Sequence, residues 1–294
     1  MKSFKLKTFV SILAFASLSS ISFATQVVDT EIVIVGGGLS GVAAAAKAVE
    51  LGKKPVLLEK TAILGGAGNF PEGSLGLGTK YQKEHGITWD IQKNIDRFLD
   101  FNHYRTNPAV IRQLIGKSGE TIDWVVDKGV EIRGIRTLWP QGESYNCWHL
   151  FKGGASTVIS KLSDQIKAQG GQILMQTPAQ KLITKDGKVV GIEAVNSKTG
   201  EKYIINAKKV ILATGGFAAN KGMIEKYVTD SSDLSVSEPI RLRSAAGDGR
   251  TGDGINMAVK VGAAIAGMEN VVGNAPYLPH EPLINQFNGD TYLK

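Results

Sequence analysis

The chain is expected to fold as an α/β domain around a parallel sheet. Three stretches carry that expectation. The first runs Glu31-Ile32-Val33-Ile34-Val35 into Gly36, Gly37 and Gly38, then through an alanine-rich segment at 42–51 to Val56-Leu57-Leu58-Glu59. It reads as strand, glycine turn, helix and strand, with an acid closing the second strand. The second is a set of alternating segments at 181–185, 188–196 and 202–206, joined by an Asp186-Gly187 turn and a turn at 198–200. Such segments form an antiparallel three-stranded meander. The third is Val210-Ile211-Leu212-Ala213-Thr214-Gly215-Gly216, a buried-strand pattern that ends in bare backbone. Sheets of this class bind ligands beyond the carboxyl ends of their strands.

The glycines of the first stretch fall as Gly36-x-Gly38-x-x-Gly41. Gly36 permits a tight turn off the strand, Gly38 a close approach of pyrophosphate to backbone, and Gly41 the packing of helix on sheet. A helix N-terminus offers free N–H groups and partial positive charge to phosphates. Glu59 follows Gly41 by 18 residues, near the spacing of about 20 for an acid that accepts from ribose hydroxyls. Glycine makes up 35 of the 294 residues, so the spacing alone is weak. The β-branched run before it, the alanines after it and the acid beyond supply the context. A purely structural glycine turn is the competing reading.

Next comes a glycine-rich stretch at 60–81, which either borders a ligand or forms a surface loop. Amphipathic helices are expected at 88–101 and 107–128, the second capped by Asn107, with Pro108 at its first position and Gly129 as its stop. Trp124 reads as core. Residues 133–150 show no period and hold Cys147, Trp148 and His149; they either overlie a cofactor or form a packed loop. A helix at 156–169 and a short strand at 173–176 precede the meander. Residues 231–250 read as loop. Thr251-Gly252-Asp253-Gly254 opens a helix at 255–261, with a strand near 263–267. Asp253 either caps that helix or meets a cofactor. No period is visible from Asn270 onward.

Lys2, Lys5 and Lys7 precede a serine-broken apolar stretch at 9–23, and Ser22-Phe23-Ala24 offers small residues at a cleavage point. This pattern predicts an export leader over 1–24, cleaved after Ala24, with periplasmic delivery and no stable membrane anchor. Cys147 is the single cysteine, so no intrachain disulfide and no covalent c-type haem are expected. The four histidines lack metal-ligand spacing. Net charge is +7 and dispersed, which points to a solvated surface tolerant of anionic substrates rather than to a nucleic-acid face.

Four segments together resemble the FAD-binding flavoprotein family of fumarate reductases and succinate dehydrogenases, its exported soluble reductases above all. They are Val33 to Gly41, Leu58-Glu59-Lys60 with Gly65-Gly66, Ala213 to Phe217, and Thr251 to Gly254 with Met257-Ala258. The resemblance implies a Rossmann-like FAD-binding domain of the glutathione-reductase type over 30–269. It places the start of a capping, substrate-binding region at 270–294, with the rest of that region truncated. It implies FAD contacts from Gly36, Gly38, Ser40 and Gly41 at the pyrophosphate, and from Glu59 and Lys60 at the adenosine ribose. Gly66, Ala67, Gly68 and Gly73 would line the flavin end, with Ala179 at the adenine. Thr214 and Gly215 lie on the strand end, and Asp253 near the flavin.

The implied reaction is hydride transfer from flavin N5 to an activated C=C bond of an unsaturated carboxylic acid. The electrons would come from a separate cytochrome c or FMN-bearing protein. A flavin dehydrogenase or oxidase of ketosteroid or amino-acid type, and a non-catalytic flavin-binding remnant, remain alternatives. A nicotinamide enzyme fits the glycine-rich loop and the Ala-Thr-Gly-Gly strand less well. Where the family has a substrate-binding histidine this chain has Asn274, which carries no charge. The resemblance places the family's catalytic arginine downstream of Lys294. Arg105, Arg136, Arg241 and Arg243 have no spacing that selects one, so no catalytic residue is assigned.

Overall fold

A computed structural model describes residues 25–137, 145–227 and 249–269. The leader segment, Asn274, Arg241 and Arg243 lie outside them. Strand β1 (Thr25–Val35) leads through the glycine turn into helix α1 (Leu39–Glu50) and then β2 (Val56–Leu58). β1 starts six residues before the expected Glu31. A long excursion follows before β6 (Gln172–Leu174), the meander strands β7 (Ala179–Lys185) and β8 (Lys188–Val195), and β9 (Lys202–Leu212). These strands form one six-stranded sheet in the order β6-β2-β1-β9-β8-β7. β1, β2, β6 and β9 run parallel, whereas β7, β8 and β9 pair antiparallel.

The third meander strand and the Val210 strand, expected as separate elements, are one strand. β9 pairs antiparallel with β8 from Lys202 to Asn206 and parallel with β1 from Lys202 to Leu212 except at Lys208. The polar Lys208-Lys209 pair interrupts the apolar pattern, but the β1 pairing resumes at Lys209.

Period-two alternation splits β1 between two cores. Ile34 faces α1 and α6 (Ala155–Ala168), packing with Val42, Ala45, Leu162 and Ile166. Val33 and Val35 face the opposite layer with Leu182, Ile192, Ile205 and Met257. Met257 belongs to α8 (Asp253–Lys260), so a helix from far along the chain seals this side. Each fully buried side chain of this size contributes about 1.5–3 kcal/mol.

The excursion builds a second sheet, antiparallel, in the order β3-β5-β4: β3 (Gly73–Leu75), β4 (Ile132–Thr137) and β5 (Asn146–Phe151). The glycine-rich stretch therefore holds a 3-10 turn (Gly66–Asn69) and a strand, and ends where helix α2 (Lys80–Glu84) begins. The segment at 133–150 supplies two strands that showed no apolar period. In β5 the buried positions are Cys147, His149 and Phe151, so a histidine fills a core site. β4 also slips register twice. His149 is fully buried, with Nε2 2.8 Å from Thr79 Oγ1 and Nδ1 3.1 Å from the Cys147 carbonyl. Burial pushes its pKa down, only partly offset by the Cys147 carbonyl and by Asp123.

Helix α3 (Ile91–Phe101) starts at its Asp90 cap, later than expected. The single helix expected at 107–128 is two, α4 (Pro108–Gly116) and α5 (Ser118–Val126). The break has a tertiary cause. Ser118 Oγ donates to the Ile115 carbonyl at 2.6 Å and accepts from Leu77 N at 3.1 Å. A side chain at Gly119 would overlap the Leu77 carbonyl. α7 (Lys221–Tyr227) was not foreseen, and residues 263–267 form no strand. Among the described residues, no helix is long and apolar enough to cross a membrane.

Candidate functional site

Val35, Leu58 and Leu212, the last residues of β1, β2 and β9, meet at one cleft of about 1130 Å3. Pockets for small ligands ordinarily span ~300–1000 Å3, so this cleft has room for a dinucleotide. Gly38, Leu39 and Ser40 bring the start of α1 to it. Gly38 is the N-cap, with no side-chain cap and no acid in the first turn. The first intrahelical bond runs from Val42 N to the Gly38 carbonyl at 2.9 Å. The amides ahead of it face no helical acceptor.

The three fingerprint glycines are required for different reasons. Gly36 sits at φ +105°, and a side chain there would overlap the Ala213 carbonyl. One at Gly41 would overlap the Gly36 carbonyl. Both serve the protein's own packing, and Gly41 does not line the cleft. A Cβ at Gly38 would meet only the Gly65 carbonyl, at 3.7 Å. The protein's packing therefore does not demand glycine at Gly38, whose backbone borders the cleft. This arrangement fits a phosphate group laid against the chain.

Glu59 is 8% exposed and lines the same cleft. Its Oε2 accepts from Gly37 N at 2.8 Å, and its Oε1 accepts from Thr61 N at 2.7 Å and Thr61 Oγ1 at 2.8 Å. A carboxylate offers about four acceptor positions, so capacity for a hydroxyl donor remains. Gly37 and Thr61 are site residues the sequence reading missed. The unbroken Gly36-Gly37-Gly38 run was the available signal for Gly37: a Cβ there would come within 2.9 Å of Glu59 Oε2.

Gly66, Ala67 and Gly68 line the cleft from the 3-10 turn, held by Gly65 N donating to the Gly37 carbonyl at 2.8 Å. Ala179 lines it from the start of β7, beside Thr177, whose N–H donates to the Glu59 carbonyl at 2.8 Å. Thr214 and Gly215 line it from the end of β9. Gly73 does not. It lies within β3, where a side chain would overlap the His149 carbonyl, so its bareness serves strand pairing. Cys147 and His149 belong to the core rather than to the cleft wall.

Lys60 and Asp253, expected at separate ends of a bound cofactor, touch each other. Lys60 Nζ lies 2.8 Å from Asp253 Oδ2 and donates to Thr251 Oγ1 at 2.8 Å, while Thr251 Oγ1 donates to Asp253 Oδ1 at 2.7 Å. Burial pushes the Asp253 carboxyl up, and the bonds from Lys60 and Thr251 more than reverse this, so it lies below the ordinary carboxylate range.

A family model described as an FAD binding domain matches residues 31–286. The chain is 32% identical over 256 residues to the vinyl phenol reductase of Lactiplantibacillus plantarum, covering 86% of this chain and 50% of that one. Its fold is similar to the open conformation of a flavocytochrome c3 fumarate reductase, with a TM-score of 0.70 at 26% identity, over 81% of this chain and 41% of that chain. It is also similar to a 3-ketosteroid-Δ4-(5α)-dehydrogenase from Rhodococcus jostii RHA1, with a TM-score of 0.68 at 25% identity, over 86% of this chain and 57% of that chain. The chain thus spans about half the length of the vinyl phenol reductase and less of the fumarate reductase. With its glycine turn, its acid and its strand-end cleft, the chain belongs to the FAD-binding domain family that includes fumarate reductases and related flavoproteins, and FAD is the cofactor of that family.

Proposed function

We propose that this chain is the FAD-holding part of an oxidoreductase that reduces an activated C=C bond of an unsaturated carboxylic acid. The observation that carries the reading is the cleft where an uncapped helix start, Glu59 and the bare strand end at Thr214-Gly215 converge. Likeness to a vinyl phenol reductase and a fumarate reductase supports the reaction class, since both names denote a reductase and both compounds carry an activated C=C bond. FAD held there supplies the hydride. The first-turn amides around Ser40 receive the pyrophosphate, and Glu59 accepts from the adenosine ribose. Ala179 borders the adenine. The backbone of Gly66, Ala67 and Gly68 faces the other half of the cofactor.

In this reading 30–269 form the FAD-binding domain and 270–294 begin the substrate-capping region. Proton delivery is assigned to no residue named here. Electrons arrive from a separate cytochrome c or FMN-bearing protein. Residues 1–24 act as an export leader, cleaved after Ala24 on the way to the periplasm. N-terminal sequencing of secreted protein checks that step: Thr25 is the expected first residue, and an intact Met1 start on exported protein contradicts it.

Likeness to a ketosteroid dehydrogenase favours one second reading, a flavin dehydrogenase. What reoxidises the reduced flavin separates the two. The chemically reduced protein, mixed anaerobically with unsaturated acids, recovers its oxidised flavin spectrum under the first reading. Recovery with oxygen or a quinone alone supports the second.

A further inference from the structure

Lys60 follows Glu59 at the end of β2, whereas Asp253 opens α8, almost two hundred residues later in the chain. Both side chains border the cleft, and they are joined by an ion pair at 2.8 Å with Thr251 bonded to each. The pair is partly exposed, at 29% for Lys60 and 41% for Asp253. A lone surface pair of this kind adds little to stability, so its position asks for another explanation.

Two features explain it. First, the segment around Asp253 is locked in place from its other side. Gly252 takes φ +77°, and a Cβ at Gly254 would overlap Thr214 Oγ1. Gly252 N donates to the Gly216 carbonyl at 3.2 Å, and Asn220 Nδ2 donates to the Thr251 carbonyl at 2.9 Å. The Lys60 bonds tie the same segment to β2, so one wall of the cleft is bolted to both strand ends. Second, Asp253 puts a carboxylate on a cleft whose other wall is the start of α1. A dianionic pyrophosphate entering such a cleft would be repelled by an uncancelled carboxylate. Arg250 also lines the cleft, and Lys60 is bonded directly to Asp253.

We infer that Lys60 is a positioning residue for cofactor binding: bonded to Asp253, it cancels the charge that this carboxylate would otherwise present to an anionic dinucleotide. This rests on the FAD reading above. It differs from direct contact of Lys60 with the ribose, because it acts through Asp253.

The test is a double-mutant cycle on FAD affinity, read by flavin fluorescence with the purified chain. Lys60→Met is expected to weaken FAD about tenfold, within the range for directly coupled residues. Lys60→Arg retains affinity near wild type. Adding Asp253→Asn to Lys60→Met restores most of the loss, and adenosine, which has no phosphate, binds all variants alike. Equal FAD affinity in wild type and Lys60→Met overturns the inference while the FAD reading stands. So does a double variant no better than Lys60→Met alone. A wild-type chain that takes up no FAD overturns both.

Discussion

The Gly37 amide donates to Glu59 Oε2 at 2.8 Å, in a buried bond between the glycine turn and the end of the second strand. The acid expected to receive a ribose thus also holds the turn that receives the phosphates. Glu59→Ala removes both functions. It leaves the buried Gly37 donor unpaired, at about 1–3 kcal/mol, while the exposed Thr61 donors turn to water. The expected outcome is a lower urea midpoint for the FAD-free chain together with FAD binding weakened about tenfold or more, a loss of at least 1.4 kcal/mol. Unchanged FAD affinity in a folded Glu59→Ala protein would contradict the assignment.

Gly36 and Gly38 should separate packing from binding. Gly36→Ala forces a side chain into the Ala213 carbonyl at φ +105°, a strain of at least ~1–3 kcal/mol. Gly38→Ala meets only the Gly65 carbonyl, at 3.7 Å. The first variant is expected to melt at lower temperature with or without FAD. The second melts like wild type when FAD-free but loses the rise in melting temperature on adding FAD. Calorimetry with and without FAD measures both effects.

How far the sequence revealed these features depends on where each constraint arises. Strand, turn, helix and strand at 31–59, and the hairpin at Asp186-Gly187, are local patterns and were legible. The break between α4 and α5 was not, because it comes from the Leu77 backbone, far away in sequence. β5 was hidden because His149 and Cys147 occupy its inward positions. Within the site, Glu59 was legible from its spacing to Gly41. The contacts that fix its carboxylate, Gly37 and Thr61, appear only once the turn is folded. The Lys60–Asp253 contact joins segments with no local signal linking them.

Glu50 anchors three helices. It accepts from Trp124 Nε1 at 2.9 Å, pairs with Lys47 at 2.9 Å and with Lys128, and takes a longer bond from Gln165. Burial pushes its pKa up, but these donors together bring it down to about 2. The stabilisation is therefore complete above the unfolded carboxylate range and is lost as pH falls toward 2. Glu50→Gln is expected to destabilise the chain by about 1–2 kcal/mol at neutral pH, after allowance for solvent screening. The deficit narrows as pH drops below about 4. Chemical denaturation at several pH values measures it, and a deficit independent of pH would contradict the assigned charge.

His149 titrates the other way. Its pKa is depressed in the folded state, so the unfolded chain binds a proton first as pH falls through the ordinary histidine value. Stability should fall from neutral pH toward pH 5 or so. In His149→Gln that slope component disappears, although the variant is less stable at neutral pH because the Thr79 and Cys147 contacts are disturbed, by about 1–3 kcal/mol. Parallel melts of both proteins across this range reveal the difference.

Visible absorbance of the chain after incubation with FAD and gel filtration tests the cleft most directly. Flavin bands that co-elute with the protein, and that are lost in Gly38→Ala and Glu59→Ala while both variants stay folded, are the expected result. Protein that elutes without flavin, or variants that retain it as well as wild type, would contradict the placement of FAD between the start of α1 and Glu59.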